Sequence, residues 1–418
     1  MTSNWAGSHT YAASAVVRPT SLAELCDVVA GNDQVRALGT RHSFTALPDT
    51  TGVLVEVAGL PELIEVDPAT RTVSVSAGVT YGRLAEHLAR DGWALTNFAS
   101  LPHIGIAGAV ATGTHGSGDL NHCLSASVTA LDMIGPDGRL WSTARGDDDF
   151  AGSVVSLGAL GVVHRLSLRI EPAYDVLGTQ FTGLSWAALD LHFDEIMSAG
   201  YSVSLFTRWT DEVDQVWVKS RDGDGPPPGG LFGAVESRTT VHMLPGGDAG
   251  AVTVQREPGP SHERLPHFRW EATPSHGEEI QSEYFVPRGH ARQAIDALRR
   301  IGRQLTSVLL TSEVRTVAAD DLWLSGAYDQ DVVAFHFTWA RRPDDVHAAV
   351  DLVEDALMPL RARPHWGKYF SFGPGVLDQV HPQLSSFVDL ARRVDPGGKF
   401  WNDFLQHRVV NKRCGAIS

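Results

Sequence analysis

Two periodicities alternate along the chain. SLAELCDVVA from Ser21 and YGRLAEHLARDG from Tyr81 space their apolar residues three and four apart, as helices with one buried face do, whereas QVRALG, GVLVEV and TVSVSAG are short β-branched runs that read as strands. From about Tyr174 the same alternation resumes with longer elements. SVSLFTRW, QVWVKS, SVLLTSEVRTVA and DVVAFHFTWA are predicted strands, and HARQAIDALRRIGRQL and VHAAVDLVEDALMPL are predicted helices. The stretch DGDGPPPGG is a loop by composition, since Pro and Gly forbid a regular element there. The pattern predicts an α+β chain: a first region of some 170 residues rich in glycine turns, then a second α+β region, with no tandem repeat.

Side chains two apart on a strand share a face. Glu313 and Arg315 therefore point the same way, as do His336 and Thr338, while Val333, Phe335, Phe337 and Trp339 form a wholly apolar opposite face. Polar pairs of this kind also occur on solvated sheet faces or as satisfied ion pairs, so the spacing alone does not make a site.

Length and composition narrow the class. At 418 residues the chain exceeds the about 250 to 300 residues at which single cores stop growing, so two or three domains and a cleft between them are expected. With 43% hydrophobic and 20% charged residues it is an ordinary globular composition, and no segment approaches the about 18 apolar residues of a membrane span. A formal charge of −15 repels phosphate backbones, and Arg361 to Arg363 is too short a basic cluster to reverse that, which excludes nucleic acid as a partner. Cys26, Cys123 and Cys414 have neither metal-ligand nor redox spacing, so neither a disulfide framework nor a Cys-based metal site is expected. MTSNWAGSHTYAAS carries no basic or apolar leader pattern, and the cytoplasm is the expected compartment.

Three glycine-bearing stretches carry the chemistry. In RALGTRHSF, Arg36 to Phe44, a strand runs into Gly39 and a turn presenting His42 and Ser43, whose backbone N–H groups suit a diphosphate; alone it reads equally as a surface turn. ASLPHIGIAGAVATGTHGSG, Ala99 to Gly118, concentrates glycines, two histidines and small hydroxyl residues. Small residues let backbone approach a large flat ligand, and Thr112, Thr114 and Ser117 add hydroxyl donors for phosphate oxygens. SLGALGVVHRLSLRI places Gly158 and Gly161 just ahead of a Val-rich strand. None matches G-x-G-x-x-G opening a βαβ unit, so a Rossmann site is not indicated.

The order GTRHSF, SLPHIGIAGAVATGTHGSG, SLGALGVV resembles the vanillyl-alcohol-oxidase type of flavoprotein, and DPGGKFWNDF looks like its sugar-acid lactone and alditol oxidase branch. NFASLPHI, SEVRTVAAD, HFTW and RPHWGK are most similar to the bacterial alditol (xylitol) oxidases, and the resemblance covers essentially the whole chain. It implies a two-subdomain FAD-binding domain over residues 1–172, completed by about 373–418, and an α+β cap domain with an antiparallel sheet over 173–372. It also implies FAD bonded through its 8α-methyl to His42, with Gly39, Thr40, Arg41 and Ser43 at the diphosphate. Ser100, Gly105, Gly108, Thr112, Gly113, Thr114, His115 and Gly116 would line the cofactor, with Val162 near its adenosine end. Many relatives carry glycine before the histidine; Arg41 disfavours positive φ, so a slightly different loop shape is expected.

On the substrate side the resemblance places Ser100, Glu313, Arg315, His336, Thr338 and Lys368 around the hydroxyls of a small polyol. The implied reaction oxidises a terminal primary alcohol, with hydride transfer to flavin N5 and dioxygen reduced to hydrogen peroxide. Arg315 and Lys368 would stabilise negative charge on the alcohol oxygen, His336 or Lys368 would relay the proton, and Glu313 would bind hydroxyls and orient Arg315. A sugar-lactone oxidase or dehydrogenase is the alternative within the class, and a flavin-storing or sugar-binding protein without turnover the alternative outside it. No metal is expected, and the chain is expected to act as a monomer.

Overall fold

In the computed structural model, which describes residues 2–224, 230–272 and 278–410, three sheets carry most of the strands of an α+β fold. The first is parallel, with Val53–Glu56 between Ala15–Val17 and Val35–Leu38. Helix Leu22–Gly31 connects its first two strands. It starts where SLAE predicts, because Ser21 caps the backbone N–H of Glu24 and the Glu24 carboxylate turns back to accept from Thr20 N at 2.7 Å. The second sheet is antiparallel, in the order Ile64–Asp67, Thr72–Ser76, Val162–Arg169, Val128–Ile134, Leu140–Ala144.

The third sheet is built from residues between 175 and 364 and is antiparallel throughout. Its central order is Asp175–Leu184, Val213–Arg221, Ser202–Thr207, Leu309–Val317, Val332–Ala340, Glu279–Pro287. The apolar face read from DVVAFHFTWA is the buried one: Val333, Phe335, Phe337 and Trp339 are fully covered. Helices Ala291–Leu305 and Pro343–Leu357 pack together over it, the first burying Ala294, Ile295, Leu298, Gly302 and Leu305 at helical spacing. Gly302 lets that helix approach closely, since a Cβ there would lie 2.2 Å from the Trp209 carbonyl oxygen.

Strands Asp175–Leu184 and Glu279–Pro287 were not marked by the pattern. Glycines interrupt the first, and Glu279, Gln281 and Glu283 fill one face of the second with residues that strands disfavour. The loop read at DGDGPPPGG is irregular over 222–224 and at Gly230; residues 225–229, like Cys414, lie outside the described residues. Cys26 and Cys123 are free thiols. Among the described residues no helix is long and apolar enough to cross a membrane.

One buried guanidinium fastens the N-terminal strands to the chain's end. Arg36 Nη1 donates to the carbonyls of Gly158 at 2.8 Å and Phe400 at 2.7 Å, and Nη2 to those of Leu47 at 2.5 Å and Leu157 at 2.8 Å. Burial draws its pKa down to about 10, which leaves it cationic at neutral pH. Within DPGGKFWNDF, Asp395 accepts from the N–H groups of Lys399 and Phe400, and the Asn402 amide reaches the carbonyls of Ala46, Leu47 and Asp49. Arg36→Leu would strand four carbonyls. We expect it to lower the unfolding free energy by about 3 kcal/mol or more, read as a lower urea midpoint; an unchanged midpoint would refute the clamp.

Candidate active site

The His42 turn is stitched on three sides. Trp5 N donates to Arg41 O at 2.8 Å and the Trp5 ring stacks on His42 with centroids 5.2 Å apart. Phe44 N donates to Gly367 O at 2.8 Å. Thr40 Oγ1 lies 3.0 Å from His42 Nδ1 and accepts from Gly105 N, also at 3.0 Å, which ties this turn to the glycine-rich stretch. Burial, aided by the charges of Lys368 and His103, pulls the His42 pKa down to about 4, so the ring is neutral at ordinary pH. Arg41 sits at φ 65°, the left-handed conformation that glycine takes easily, and pairs with the Glu56 carboxylate. The side chain therefore has not reshaped the turn; the backbone accepts a strain of about 1 to 2 kcal/mol while Glu56 holds the guanidinium.

The glycine-rich stretch begins a short helix, Ile106–Ala111, at Gly105. Gly39 and Gly108 border open space, as a Cβ on either would meet nothing within 4 Å. Thr112 and Thr114 line the same cavity, though the Thr112 hydroxyl already donates to Gly108 O at 3.0 Å. Three expected positions face elsewhere. Gly116 passes under Asn97 and Phe98, where a Cβ would lie 2.2 Å from Asn97 Oδ1; Gly113, at φ 69°, turns the chain toward Val155; and Val162 is buried with Leu25, Val29 and Ile134. Ser117 is a correction: its hydroxyl is spent on the Val203 carbonyl.

Strand register assembles the other end of the cavity. Glu283 lies opposite His336, and His336 opposite Glu313, forming one row across three strands; the next row is Gln281, Thr338 and Thr311. Arg315 follows Glu313 on the same face, and Lys368 enters from the loop after Arg363–Pro364. Arg315 Nη2 donates to Glu283 Oε1 at 2.6 Å and Nη1 to Ser100 Oγ at 3.4 Å. Glu313, expected to orient Arg315, pairs with it less closely than Glu283 does. Its Oε1 is 3.5 Å from Arg315 Nε, and its short contact is with His267 Nε2 at 2.6 Å.

Glu283, Gln281, His267 and His365 line this cavity and were missed from the sequence. Glu283 could have been found by the same period-two spacing had its strand been recognised, and His365 stands in the HWGK motif; His267 is in a loop and gave no signal. Glu283 also lies 3.0 Å from His115 Nε2. Burial pushes its carboxyl pKa up, but the charges of His115 and Arg315 outweigh that and hold it well below the usual range. Burial likewise opposes ionisation of Glu313, and Arg315 with His267 reverses it. Lys368, bonded to Gln281, is drawn down by burial, with Glu283 opposing and Arg315 reinforcing. His336 is drawn down by burial too; its Nε2 is 3.2 Å from Thr338 Oγ1, and its Nδ1 has no hydrogen-bond partner among the described residues.

His42, the glycine-rich loop and the polar rows therefore border a single cavity of about 860 Å³, at the upper end of the range for organic ligands. The residues fit FAD: open glycine backbone at Gly39 and Gly108 lines the cavity together with Arg41, Gly158 and Gly161.

An FAD binding domain family matches residues 13–144, and the D-arabinono-1,4-lactone oxidase family matches residues 274–408. The chain is 46% identical to an alditol oxidase from a Streptomyces species, over 96% of this chain and 97% of that one. The chain belongs to the vanillyl-alcohol-oxidase type of FAD flavoproteins. An L-gulono-1,4-lactone dehydrogenase from Mycobacterium tuberculosis is 30% identical to this flavoprotein over 97% of its length and 98% of the relative's. Its fold is that of a cholesterol oxidase from B. sterolicum, with a TM-score of 0.78 at 13% identity, covering 98% of this chain and 96% of that one. The flavoprotein is an FAD-dependent oxidoreductase.

Buried histidines in and behind the site give it an acid limit. Burial draws His267 to about 4 and His365 and His381 to about 3, whereas in the unfolded chain they titrate near about 6.5. Below that value the unfolded state binds protons the folded state refuses, so stability falls as pH drops from about 6.5 toward 4 and is unaffected by these groups above it. His381, with neither ring nitrogen hydrogen-bonded among the described residues and its ring against Trp366, isolates one contribution. His381→Phe should flatten the decline of the urea midpoint with falling pH; an equal slope in both proteins would contradict this.

Proposed function

We propose that this flavoprotein oxidises the terminal primary alcohol of an alditol, such as xylitol or sorbitol, to the aldose, with dioxygen reduced to hydrogen peroxide. The observation that carries the reading is the balanced polar cluster at the sheet end of the cavity: Arg315 and Lys368 against Glu283 and Glu313, with His336, Thr338 and Ser100 among them. Neutral hydroxyls, which both donate and accept, match such a set better than an anion would. The likeness to the alditol oxidase supports the same substrate class.

FAD, when bound, supplies the two-electron acceptor for the carbinol hydride and passes the electrons to dioxygen. The protein's task is the proton. An alcohol is too weak an acid to ionise unaided, so Arg315 and Lys368 stabilise negative charge on its oxygen from fixed positions. Glu313 and Glu283, held ionised, accept hydrogen bonds from substrate hydroxyls. The proton leaves through His336 or through Lys368, both of which burial shifts toward the neutral form that can accept one. His42, neutral and facing the cavity, is the residue for covalent attachment at the 8α-methyl. In this reading residues 1–172 with 373–418 hold the cofactor and 173–372 cap the substrate, and the protein works as a cytoplasmic monomer, its scattered cysteines suiting a reducing compartment.

The match to the D-arabinono-1,4-lactone oxidase family over residues 274–408 favours a second reading, oxidation of a sugar lactone, within the same cavity. A peroxide assay against xylitol, sorbitol and gulonolactone separates them. Arg315→Ala should slow anaerobic flavin reduction by about a hundredfold or more; a normal stopped-flow trace would sink its role. His42→Ala should lose yellow colour on acid precipitation while the wild type keeps it, and retention in the variant would disprove the linkage.

A further inference from the structure

Behind the cavity wall stands a buried lysine that the reaction above does not use. Lys219, on Val213–Arg221, is 1% exposed and does not line the cavity. Its Nζ donates to the carbonyls of Leu265 at 2.5 Å and Pro266 at 3.0 Å, and to His267 Nδ1 at 3.3 Å. Three acceptors use the three hydrogens of an ammonium. Because Nδ1 accepts, the His267 proton sits on Nε2, which donates to Glu313 Oε1 at 2.6 Å. The ring is wedged edge-on between Phe206 and Trp217, with centroids 5.5 and 5.2 Å away, so it cannot turn freely. The His267 bond engages only one oxygen of the Glu313 carboxylate, and Glu313 lines the cavity.

We propose that Lys219 and His267 are positioning residues that fix Glu313 as an ionised acceptor, one oxygen tied by the imidazole and the other presented to a substrate hydroxyl. The direction of each bond is forced: ammonium to imidazole, imidazole to carboxylate. Burial supports a neutral His267, drawing it to about 4, and brings Lys219 to about 7 despite the opposing charge of Glu313. The groups facing Lys219 are His267, Glu313 beyond it and the Trp217 ring at 5.8 Å; the residues paired with it on the flanking strands are Ser202 and Gly178, both uncharged.

The proposal rests on the polyol reading for Glu313's partner, and its test separates the two. In holoenzyme, the concentration dependence of anaerobic flavin reduction by xylitol gives a Kd and a limiting rate. Lys219→Met and His267→Leu should raise Kd about tenfold or more while lowering the limiting rate much less. His267→Gln, whose amide can accept from Lys219 and donate to Glu313, should return Kd to within about threefold of wild type. As pH rises through about 7, where Lys219 loses its proton, Kd should weaken in wild type and stay level in Lys219→Met. Independently of any substrate, ¹⁵N-histidine spectra should show His267, assigned by its loss in His267→Gln, as a neutral Nε2–H tautomer whose Nδ1 resonance is shielded by the ammonium hydrogen bond and moves downfield in Lys219→Met. An unchanged Nδ1 resonance in Lys219→Met, or unchanged Kd in both disrupting variants, overturns the relay. If no polyol reduces the wild-type flavin, the functional reading falls and the Nδ1 resonance alone decides the relay.

Discussion

A single buried carboxylate joins the two halves of the site. Glu283 reaches His115 on the glycine-rich loop at 3.0 Å and Arg315 on the sheet at 2.6 Å, so the loop expected to carry the cofactor and the strand expected to carry substrate are locked through one oxygen. A carboxylate removed from water is costly, and only close cations and hydrogen bonds compensate it. Here both are present, and neither partner can drift without leaving the charge uncompensated. His115 is fixed from its other side by Gly116 O at 2.8 Å, and Gly116 in turn has no room for a side chain beneath Asn97 and Phe98. The glycine there serves the position of an imidazole, not the approach of a ligand.

That constraint accounts for the charge pattern around it. Glu283, Glu313 and Arg315 are almost withdrawn from water and Lys368 stands half-buried beside them, so the charges must be offset locally, and the remaining hydrogen-bonding capacity is that of neutral donors and acceptors. The same economy appears at the other end of the cavity, where Arg36 lines the wall. Among the described residues Arg36 has no carboxylate partner; four carbonyls ring it, a cation solvated by backbone, which ties Leu47 and the Leu157–Gly158 turn at the cavity wall to Phe400.

What the sequence revealed follows from how local the signal is. Period-two spacing found Glu313, Arg315, His336 and Thr338 because they alternate with an apolar face that is fully buried. Glycine clustering marked the end of the cavity bordered by Gly39 and Gly108, and the family motifs pointed to Lys368. Glu283 stayed hidden because its strand alternates Glu, Gln and Glu against Ile, Ser and Tyr, a composition that reads as surface. Its role appears only through register with His336, a contact set by chain pairing 53 residues away. His267 and Lys219 were beyond reach for the same reason: one is in a loop and the other is a lysine on a strand whose neighbours suggest exposure, and their meaning arises when three separate segments converge. Arg41 was legible as an oddity, but whether the backbone or the side chain would yield could not be read from residue type.

The precision of the site is in the end supplied by the opposite side of the sheet. A slip of one residue in any of the three central strands would exchange its two faces, burying Glu283, His336 or Glu313 against helices and sending Phe335 or Phe337 into the cavity. The stacked rings of Phe337 and Trp339, 5.2 Å apart, the Trp339 Nε1 bond to Ser282 at 2.8 Å and the Tyr284 hydroxyl on Glu354 at 2.8 Å all lie on that back face. They hold strands Glu279–Pro287 and Val332–Ala340 in a single register through contacts that no polar ligand can compete for. The carboxylates on the front are therefore placed by hydrophobic packing behind them, and their own ion pairs only refine where each oxygen points.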